Sequence, residues 1–322
     1  MTISHVQTGS PVVRIRLVRP LASAVLCALV LALLAAYAPT FFKLNNLINI
    51  LVQASTLAVM AIGMTVVMIG GGIDLSLPFN AALSAVLGAM YMRATGDPFG
   101  GPAVMITMAL AIGAFNGIAV GYLRMIPFVV TLAMMTVTNG AAVWLTNSIS
   151  IADIPDAFVD PFFNRYLGIP LSVYIAAAVS LLTYVLLSTT VYGRWLYAVG
   201  ISAKAARVAR IPGERVIAAS YVVAGLIAGI AAIMLTGRLA SASSNLASPT
   251  LVLDVVSACV VGGVSIYGGV GKIYGAIFGA LFMTLLSNAL NAAEVTVYVN
   301  QMIRGGIIVA FVAFDHFKDA GK

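Results

Sequence analysis

The chain has 322 residues, of which 61% are hydrophobic and only 8% are charged. A water-soluble domain cannot bury that much apolar surface, so the composition excludes a soluble protein and indicates helices that lie in lipid. The formal net charge of +7 fits basic cytoplasmic loops that orient a membrane protein better than it fits nucleic-acid binding. Both cysteines, Cys27 and Cys259, lie within apolar runs, which argues against a disulfide framework.

The N-terminal 19 residues are polar and basic, and an apolar run, Leu21–Tyr37, follows them. That run is too long for the usual hydrophobic core of a signal peptide, so we expect an uncleaved first span after a cytoplasmic tail of 1–19. Further runs approach the roughly 20 apolar residues that a spanning helix takes. The expected spans are 20–38, 46–69, 76–92, 101–123, 127–148, 170–190, 215–236, 251–265, 273–291 and 297–315.

About ten spans that begin from an inner N-terminus would place both ends of the chain in the cytoplasm, the second as a tail of 316–322. Most of the 17 Lys and Arg residues then lie on the inner side, as the positive-inside rule requires. These inner residues are Arg14, Arg16, Arg19, Arg124, Arg194, Lys204, Arg207, Arg210, Arg215, Lys272, Lys318 and Lys322. The sequence therefore predicts an all-α polytopic membrane bundle whose transmembrane domain covers 20–315.

A glycine-rich break, Gly70–Ser76, separates the second and third expected spans. Its three glycines end one helix and permit irregular backbone that lipid would forbid, while Asp74 or Ser76 can cap the next helix. The break is either part of a transport pathway or gate, or a helix cap at the membrane interface, and the sequence leaves both open. The candidate pathway residues are Gly72, Asp74, Ser76, Asn80 and Asn116.

The longest polar interruption is the loop 191–215, VYGRWLYAVGISAKAARVARIPGER. Between Gly200 and Pro212 it contains a helix-sized piece with alanines on one side and several basic residues. A short basic helix with a small-residue face, projecting from a membrane protein, is a surface that a soluble partner can bind.

Ionisable residues within spans are costly and are functional candidates by default. Asp254 lies near the outer start of its span and Arg304 about two turns into the last, so their depths differ by about 5–7 Å at 1.5 Å per residue. We expect an Asp254–Arg304 pair; the alternative is that each side chain extends separately to the interface.

Polar uncharged residues within spans can bind a hydroxylated solute, although they more often form hydrogen bonds between helices. They are Gln53, Asn80, Asn116, Asn139, Asn288, Asn291 and Gln301.

No grouping of Ser, His, Cys and carboxylates suits catalysis or metal binding, so the chain is expected to be no enzyme and to hold no cofactor. An ion-coupled secondary transporter would need a carboxylate deep in the bilayer, and both Asp74 and Asp254 lie near the ends of spans. That class of transporter stays a less favoured alternative.

Short motifs occur in an order and spacing that are specific as a set. They are Asn45–Leu51, Ala61–Thr65, Gly72–Ser76, Asn116-Gly117, Pro127–Leu132, Gly193-Arg194, Tyr197-Ala198, Gly200, Ala205–Arg207, Leu253-Asp254, Gly262-Gly263, Gly268-Gly269, Gly271, Gln301 and Arg304-Gly305. With these motifs, the stretch from Phe41 to Asp315 resembles the permease subunits of bacterial ABC importers for ribose, xylose, galactose and similar monosaccharides. Those permeases are relatives of the branched-chain amino-acid permeases.

This resemblance implies a type II importer-like fold in the bacterial inner membrane, as a homodimer or as a heterodimer with a similar permease. It also implies a periplasmic sugar-binding protein and a separate ABC ATPase that binds ATP and Mg and docks on the 191–215 loops. The coupling residues that it implies are Gly193, Arg194, Ala198, Gly200, Ala205, Ala206 and Arg207.

The chain departs from the family pattern mainly in the coupling loop. Ala209-Arg210 stand where the family usually has Ser-Gly, and the family usually has an acidic residue near Lys204. These basic changes suggest an ATPase with a matched, more acidic groove. The solute stays open among sugars, amino acids, nucleosides and polyols, because in such importers the binding protein usually sets selectivity.

Overall fold

The structure is a computed structural model that describes residues 42–319. Helices α1 to α4 span Leu44–Ile69, Leu77–Thr95, Gly100–Gly117 and Pro127–Thr146, and a π-helical turn, Ile118–Tyr122, extends α3. Helix α5 (Asp156–Phe163) precedes the antiparallel strands β1 (Arg165–Tyr166) and β2 (Ile169–Pro170), in which Arg165 pairs with Pro170. Helices α6 to α9 span Leu171–Thr189, Val191–Ile201, Ala203–Val208 and Gly213–Leu239. A 3-10 turn, Ser244–Leu246, precedes α10 (Pro249–Val261), α11 (Ile273–Ala292) and α12 (Val297–Asp319).

Within residues 42–319, seven helical segments are long and apolar enough to cross a membrane. They are Leu44–Ile69, Gly100–Tyr122, Pro127–Thr146, Leu171–Thr189, Gly213–Leu239, Ser244–Val261 and Ile273–Ala292. The prediction of a helical, polytopic membrane protein is therefore confirmed. The expected first span, 20–38, and the tail 1–19 lie outside the described residues.

Helices α2 and α12 form where spans were expected but are not among those seven segments. Helix α2 carries polar residues such as Asn80 and Ser84, and from Leu77 to Ala89 every residue except Leu87 is buried. A helix that is surrounded by protein needs less apolar surface than one that faces lipid. Its lower hydropathy therefore follows from its central position, and the total of ten spans stays a prediction.

Helix α1 lies at the centre of the bundle. From Ala54 to Ile69 every residue except Leu57 is buried, and α1 packs against α11, α9, α6 and α10. A helix that is apolar on all sides buries itself in this way because each face finds an apolar neighbour. The end of α1 at Ile69 therefore connects to most of the bundle.

Helices α3 and α9 pack so closely that their glycines leave no room for a side chain. A Cβ atom added to Gly113 would lie 2.6 Å from the carbonyl oxygen of Tyr221, and one added to Gly117 would lie 2.5 Å from that of Ala218. Membrane helices use small residues to bring backbones together, since lipid offers no hydrophobic drive for association.

Replacing Gly117 with alanine is expected to destabilise the protein, although alanine normally favours a helix. Overpacking a tight contact costs about 1–3 kcal/mol, which exceeds the roughly 0.5–1 kcal/mol that alanine gains over glycine in a helix. The measurement is the thermal midpoint of the purified protein in detergent. Gly140→Ala is the matched control, because nothing lies within 4 Å of a Cβ atom there; equal midpoints for the two variants would contradict the prediction.

Candidate functional site

The polar residues of the glycine-rich break, Asp74 and Ser76, are buried inside the helix bundle. Ser76 donates to Asp74 Oδ1 from its backbone nitrogen at 3.0 Å and from its hydroxyl at 2.6 Å. Asn116 Nδ2 donates to Ser76 Oγ at 2.9 Å, and Thr131 Oγ1 donates to the Ile73 carbonyl at 3.1 Å. Although Ser76 is at the N-cap position of α2, its side chain makes no capping hydrogen bond. The break therefore joins α2, α3 and α4 through one buried network.

The remaining candidate pathway residues are also buried or tightly packed. Asn80 Nδ2 donates to the Ala109 carbonyl at 3.1 Å. A Cβ atom on Gly72 would lie 2.5 Å from the Tyr221 hydroxyl. Asn116 Oδ1 is buried without a hydrogen-bond partner among the described residues. These positions bind other parts of the protein, and their role in a pathway stays a prediction.

The loop 191–215 forms two helices, α7 and α8, and hydroxyl groups cap both. Thr190 Oγ1 accepts a hydrogen bond from the Gly193 nitrogen at 3.2 Å, and Ser202 Oγ accepts one from the Ala205 nitrogen at 3.2 Å. Such caps satisfy backbone N–H groups that have no partner within the helix. They separate the polar stretch into two short, well-defined helices.

Helix α7 is attached to the end of α1 and to the loop between α10 and α11. A Cβ atom on Gly200 would overlap the Ile69 carbonyl oxygen and lie 2.5 Å from the Gly269 nitrogen. The Gly269 nitrogen donates to Ile69 O at 2.9 Å, and the Tyr197 hydroxyl donates to Gly271 O at 2.7 Å. Burial raises the pKa of Tyr197, so its hydroxyl stays a protonated donor. A displacement of α7 would therefore act directly on the central helix.

Helix α8 turns a basic face outward. Its residues are exposed apart from Ala206, which is 4% exposed. Ala206 lines a groove of about 460 Å³ between α8 and the nearby ends of α3, α4 and α9. Beside this groove, Arg124 Nη2 and Glu214 Oε1 form an exposed ion pair at 2.8 Å.

Among the predicted coupling residues, Arg194, Ala205 and Arg207 are exposed, Gly193 is buried, and Ala198 and Gly200 are half-buried.

Asp254 and Arg304 form an ion pair between α10 and α12. Arg304 Nη1 lies 2.6 Å from Asp254 Oδ2, and the two side chains are 15% and 16% exposed. Arg304 Nε also donates to Asn300 Oδ1 at 2.8 Å. The side chains therefore meet within the protein and do not extend separately to an interface; the functional role of the pair stays a prediction.

Sequence reasoning did not predict three of the contacts in these sites. Thr131 and Tyr197 were named in motifs, but nothing in the sequence indicated their bonds to Ile73 and Gly271, because those partners lie far away along the chain. Arg238 lies just beyond the expected span 215–236, yet it belongs to the last turn of α9 and lines a cavity with Asp254. Its place at the outer end of a long apolar run was the signal that could have indicated this.

Comparison with known proteins identifies the family. The chain matches the family described as branched-chain amino acid transport system / permease component over residues 46–312. It is 33% identical over 292 residues to the ribose import permease protein RbsC of Escherichia coli strain K12, covering 89% of this chain and 91% of that protein. No solved structure matches the chain.

Two further relatives carry the names of other sugars. The D-allose transport system permease protein AlsC of Escherichia coli strain K12 is 31% identical over 292 residues, which cover 89% of each chain. The L-arabinose ABC transporter permease protein AraH of Azospirillum brasilense is 32% identical over 287 residues, covering 89% of this chain and 84% of that protein. Because the family match spans most of the chain and the resemblance read from the motifs agrees with it, this protein belongs to the branched-chain amino acid transport system permease family.

Proposed function

We propose that this chain is the permease subunit of an ATP-driven ABC importer that takes up monosaccharides across the bacterial inner membrane. The solute class follows from the names of the relatives, which are permeases for ribose, D-allose and L-arabinose. The structural observation that carries the coupling mechanism is the attachment of α7 to Ile69 of α1 through Gly200, Gly269 and Tyr197.

The proposed topology has ten spans, with both chain ends and the α7–α8 pair on the cytoplasmic side. In this topology the transmembrane domain covers 20–315, between tails of 1–19 and 316–322. The basic residues of the 191–215 loop support this orientation, because cytoplasmic loops carry an excess of Lys and Arg. The type II importer-like fold is part of the same proposal.

The proposed partners are an ABC ATPase, a periplasmic sugar-binding protein and a second permease copy, identical or similar. The ATPase binds ATP and Mg, docks on α7 and α8, and does all the hydrolysis. Its closure pushes α7, which shifts the end of α1 and the loop around Gly269. Rigid contacts transmit such a displacement because packed helices move as units and do not deform continuously.

Replacing Ala206 with tryptophan is expected to abolish both ATPase binding and uptake. Ala206 lies on the buried side of α8 and lines the groove, so an indole at this position must push α8 outward. If the overpacking of about 1–3 kcal/mol opposes docking, the ATPase binds roughly 5- to 150-fold more weakly. The measurements are co-purification of the ATPase and sugar uptake by membrane vesicles.

Leu182→Trp is the matched control, because Leu182 lies on α6 and is 70% exposed. It adds the same side chain without touching α8, so binding and uptake are expected to stay at the wild-type level. Normal uptake by a correctly inserted Ala206→Trp protein would exclude this surface as the coupling site.

A further inference from the structure

A polar cavity of about 260 Å³ opens among α1, α9, α10, α11 and α12. The walls come from the middle of α1, from the N-terminal halves of α10 and α12 and from the ends of α9 and α11, so the cavity lies toward the end of the bundle opposite α7 and α8. Its polar residues are Gln53, Arg238, Asp254, Asn288, Asn291 and Arg304, together with three hydroxyl-bearing side chains. In the proposed topology this end faces the outside.

The hydrogen-bonding capacity of this lining is only partly used within the protein. Asn288 Nδ2 donates to Gln53 Oε1 at 3.3 Å, which leaves the Gln53 amide nitrogen and the Asn288 carbonyl oxygen without partners among the described residues. Asp254 Oδ1 is buried and also has no hydrogen-bond partner there. A buried acceptor without a partner costs about 1–3 kcal/mol, so a ligand hydroxyl that donated to Asp254 would be favoured.

The cation of Arg238 likewise makes no hydrogen bond or ion pair with another described residue, whereas Arg304 is neutralised by Asp254. The cavity therefore offers unused donors at Gln53 and Arg238 beside unused acceptors at Asp254 and Asn288. Hydroxyl groups use donors and acceptors at once, whereas an anion would leave the acceptors at Asp254 and Asn288 without partners.

The cavity also has an apolar side, formed by Leu57, Met60, Leu235 and Leu251. A ring that carries hydroxyls at its edge and C–H groups on its face matches a lining of this kind. The volume falls just below the roughly 300–1,000 Å³ of pockets for drug-sized ligands, which suits one small solute.

We propose that this cavity is a transit site that binds one neutral, monosaccharide-sized polyol inside the permease, with Gln53, Asn288, Arg238 and Asp254 as its hydrogen-bonding groups. The proposal rests on the proposed import function and adds to it a solute contact within the chain itself. The solute would meet these groups after it enters from the outer side and before the bundle opens toward the inner side.

The test compares Gln53→Met, inside the cavity, with Thr107→Val on α3, where the exposed hydroxyl donates only to carbonyl groups of its own helix. Each change removes one polar side-chain group, and Asn288 keeps a hydrogen bond to the Thr284 carbonyl at 2.9 Å when Gln53 is replaced. The complete transporter, with its ATPase and binding protein, is reconstituted in vesicles. The probes are D-ribose, D-allose, L-arabinose and D-galactose, the sugars that appear in the names of the relatives.

Gln53→Met is expected to lower the sugar transported per ATP hydrolysed by about 2- to 12-fold, the loss that one hydrogen bond produces, while ATPase stimulation by the binding protein persists. Thr107→Val is expected to match the wild type in both. Equal transport per ATP in the two variants would overturn the transit site, and a parallel loss of ATPase stimulation in Gln53→Met would assign the residue a structural role instead.

A second measurement separates the cavity from the import function. Saturation-transfer NMR on the full chain in nanodiscs, with the same four sugars, is expected to show contact in the wild type and weaker contact in Gln53→Met. If the wild type transports none of the sugars, the import function fails, and the NMR result alone then decides the cavity. Absence of saturation transfer in the wild type would mean that the cavity holds only water.

Discussion

Gly200→Ala is expected to stop ATP-driven uptake while the protein still inserts in the membrane. Gly200 is helical, so alanine would by itself stabilise α7 by roughly 0.5–1 kcal/mol. The added Cβ would instead overlap the Ile69 carbonyl and crowd the Gly269 nitrogen. Backbone atoms cannot rotate away, so α7 must shift and lose its contact with the end of α1.

The expected cost is about 1–3 kcal/mol of overpacking, and each 1.4 kcal/mol that raises the barrier of the coupled step slows uptake tenfold. Uptake in vesicles and ATPase stimulation by the binding protein are the measurements. Gly213→Ala is the matched control, because its Cβ would meet only a Val199 methyl at 3.9 Å. Wild-type uptake by Gly200→Ala would show that the α1–α7 contact does not transmit the power stroke.

Asp254→Asn and Arg304→Gln are each expected to destabilise the protein strongly, and the double variant is expected to recover part of the loss. Removing one partner of a buried ion pair costs about 3–5 kcal/mol, because the other charge stays buried without compensation. The pair is only 15–16% exposed, so solvent screens it little. The thermal midpoint and the level of inserted protein measure the effect.

A double-mutant cycle isolates the pair, and we expect a coupling of about 0.5–3 kcal/mol. The matched comparison is the pair of Arg124 and Glu214, whose side chains are 66% and 40% exposed at a similar distance. Arg124→Gln is expected to change the midpoint little, because water already solvates both charges. Strictly additive losses at Asp254 and Arg304 would contradict a coupled pair.

Much of this architecture could be predicted from local patterns. Long apolar runs predict helices wherever they occur, and the structure has helices at nine of the expected positions within 42–319. The glycine-rich break likewise predicts the end of one helix, and α1 ends at Ile69, directly before Gly70. Short-range signals of this kind are legible because they need no knowledge of which helices are neighbours.

Other features could not be read in that way. Asn80 lies in α2, a helix that was expected at 76–92, but its hydrogen bond to the Ala109 carbonyl depends on the packing of α2 against α3. Arg238 lies two residues beyond the expected span 215–236, and it lines a cavity with residues from four other helices. Pathway candidates such as Asn116 were chosen for their chemistry, yet the Asn116 amide donates to Ser76 in the glycine-rich break, 40 residues away along the chain.

The amino-acid sequence by itself determined that the helices lie in lipid, that the fold is all-α and which family the chain belongs to, because composition, hydropathy and motif order are properties of the chain. It also brought Asp254 and Arg304 to a common depth, through the constant rise of a helix. Tertiary structure alone decided that Gly200 touches Ile69 and that Gln53 shares a cavity with Asp254. Those contacts join residues more than 100 positions apart, and only the packing of whole helices selects which of them meet.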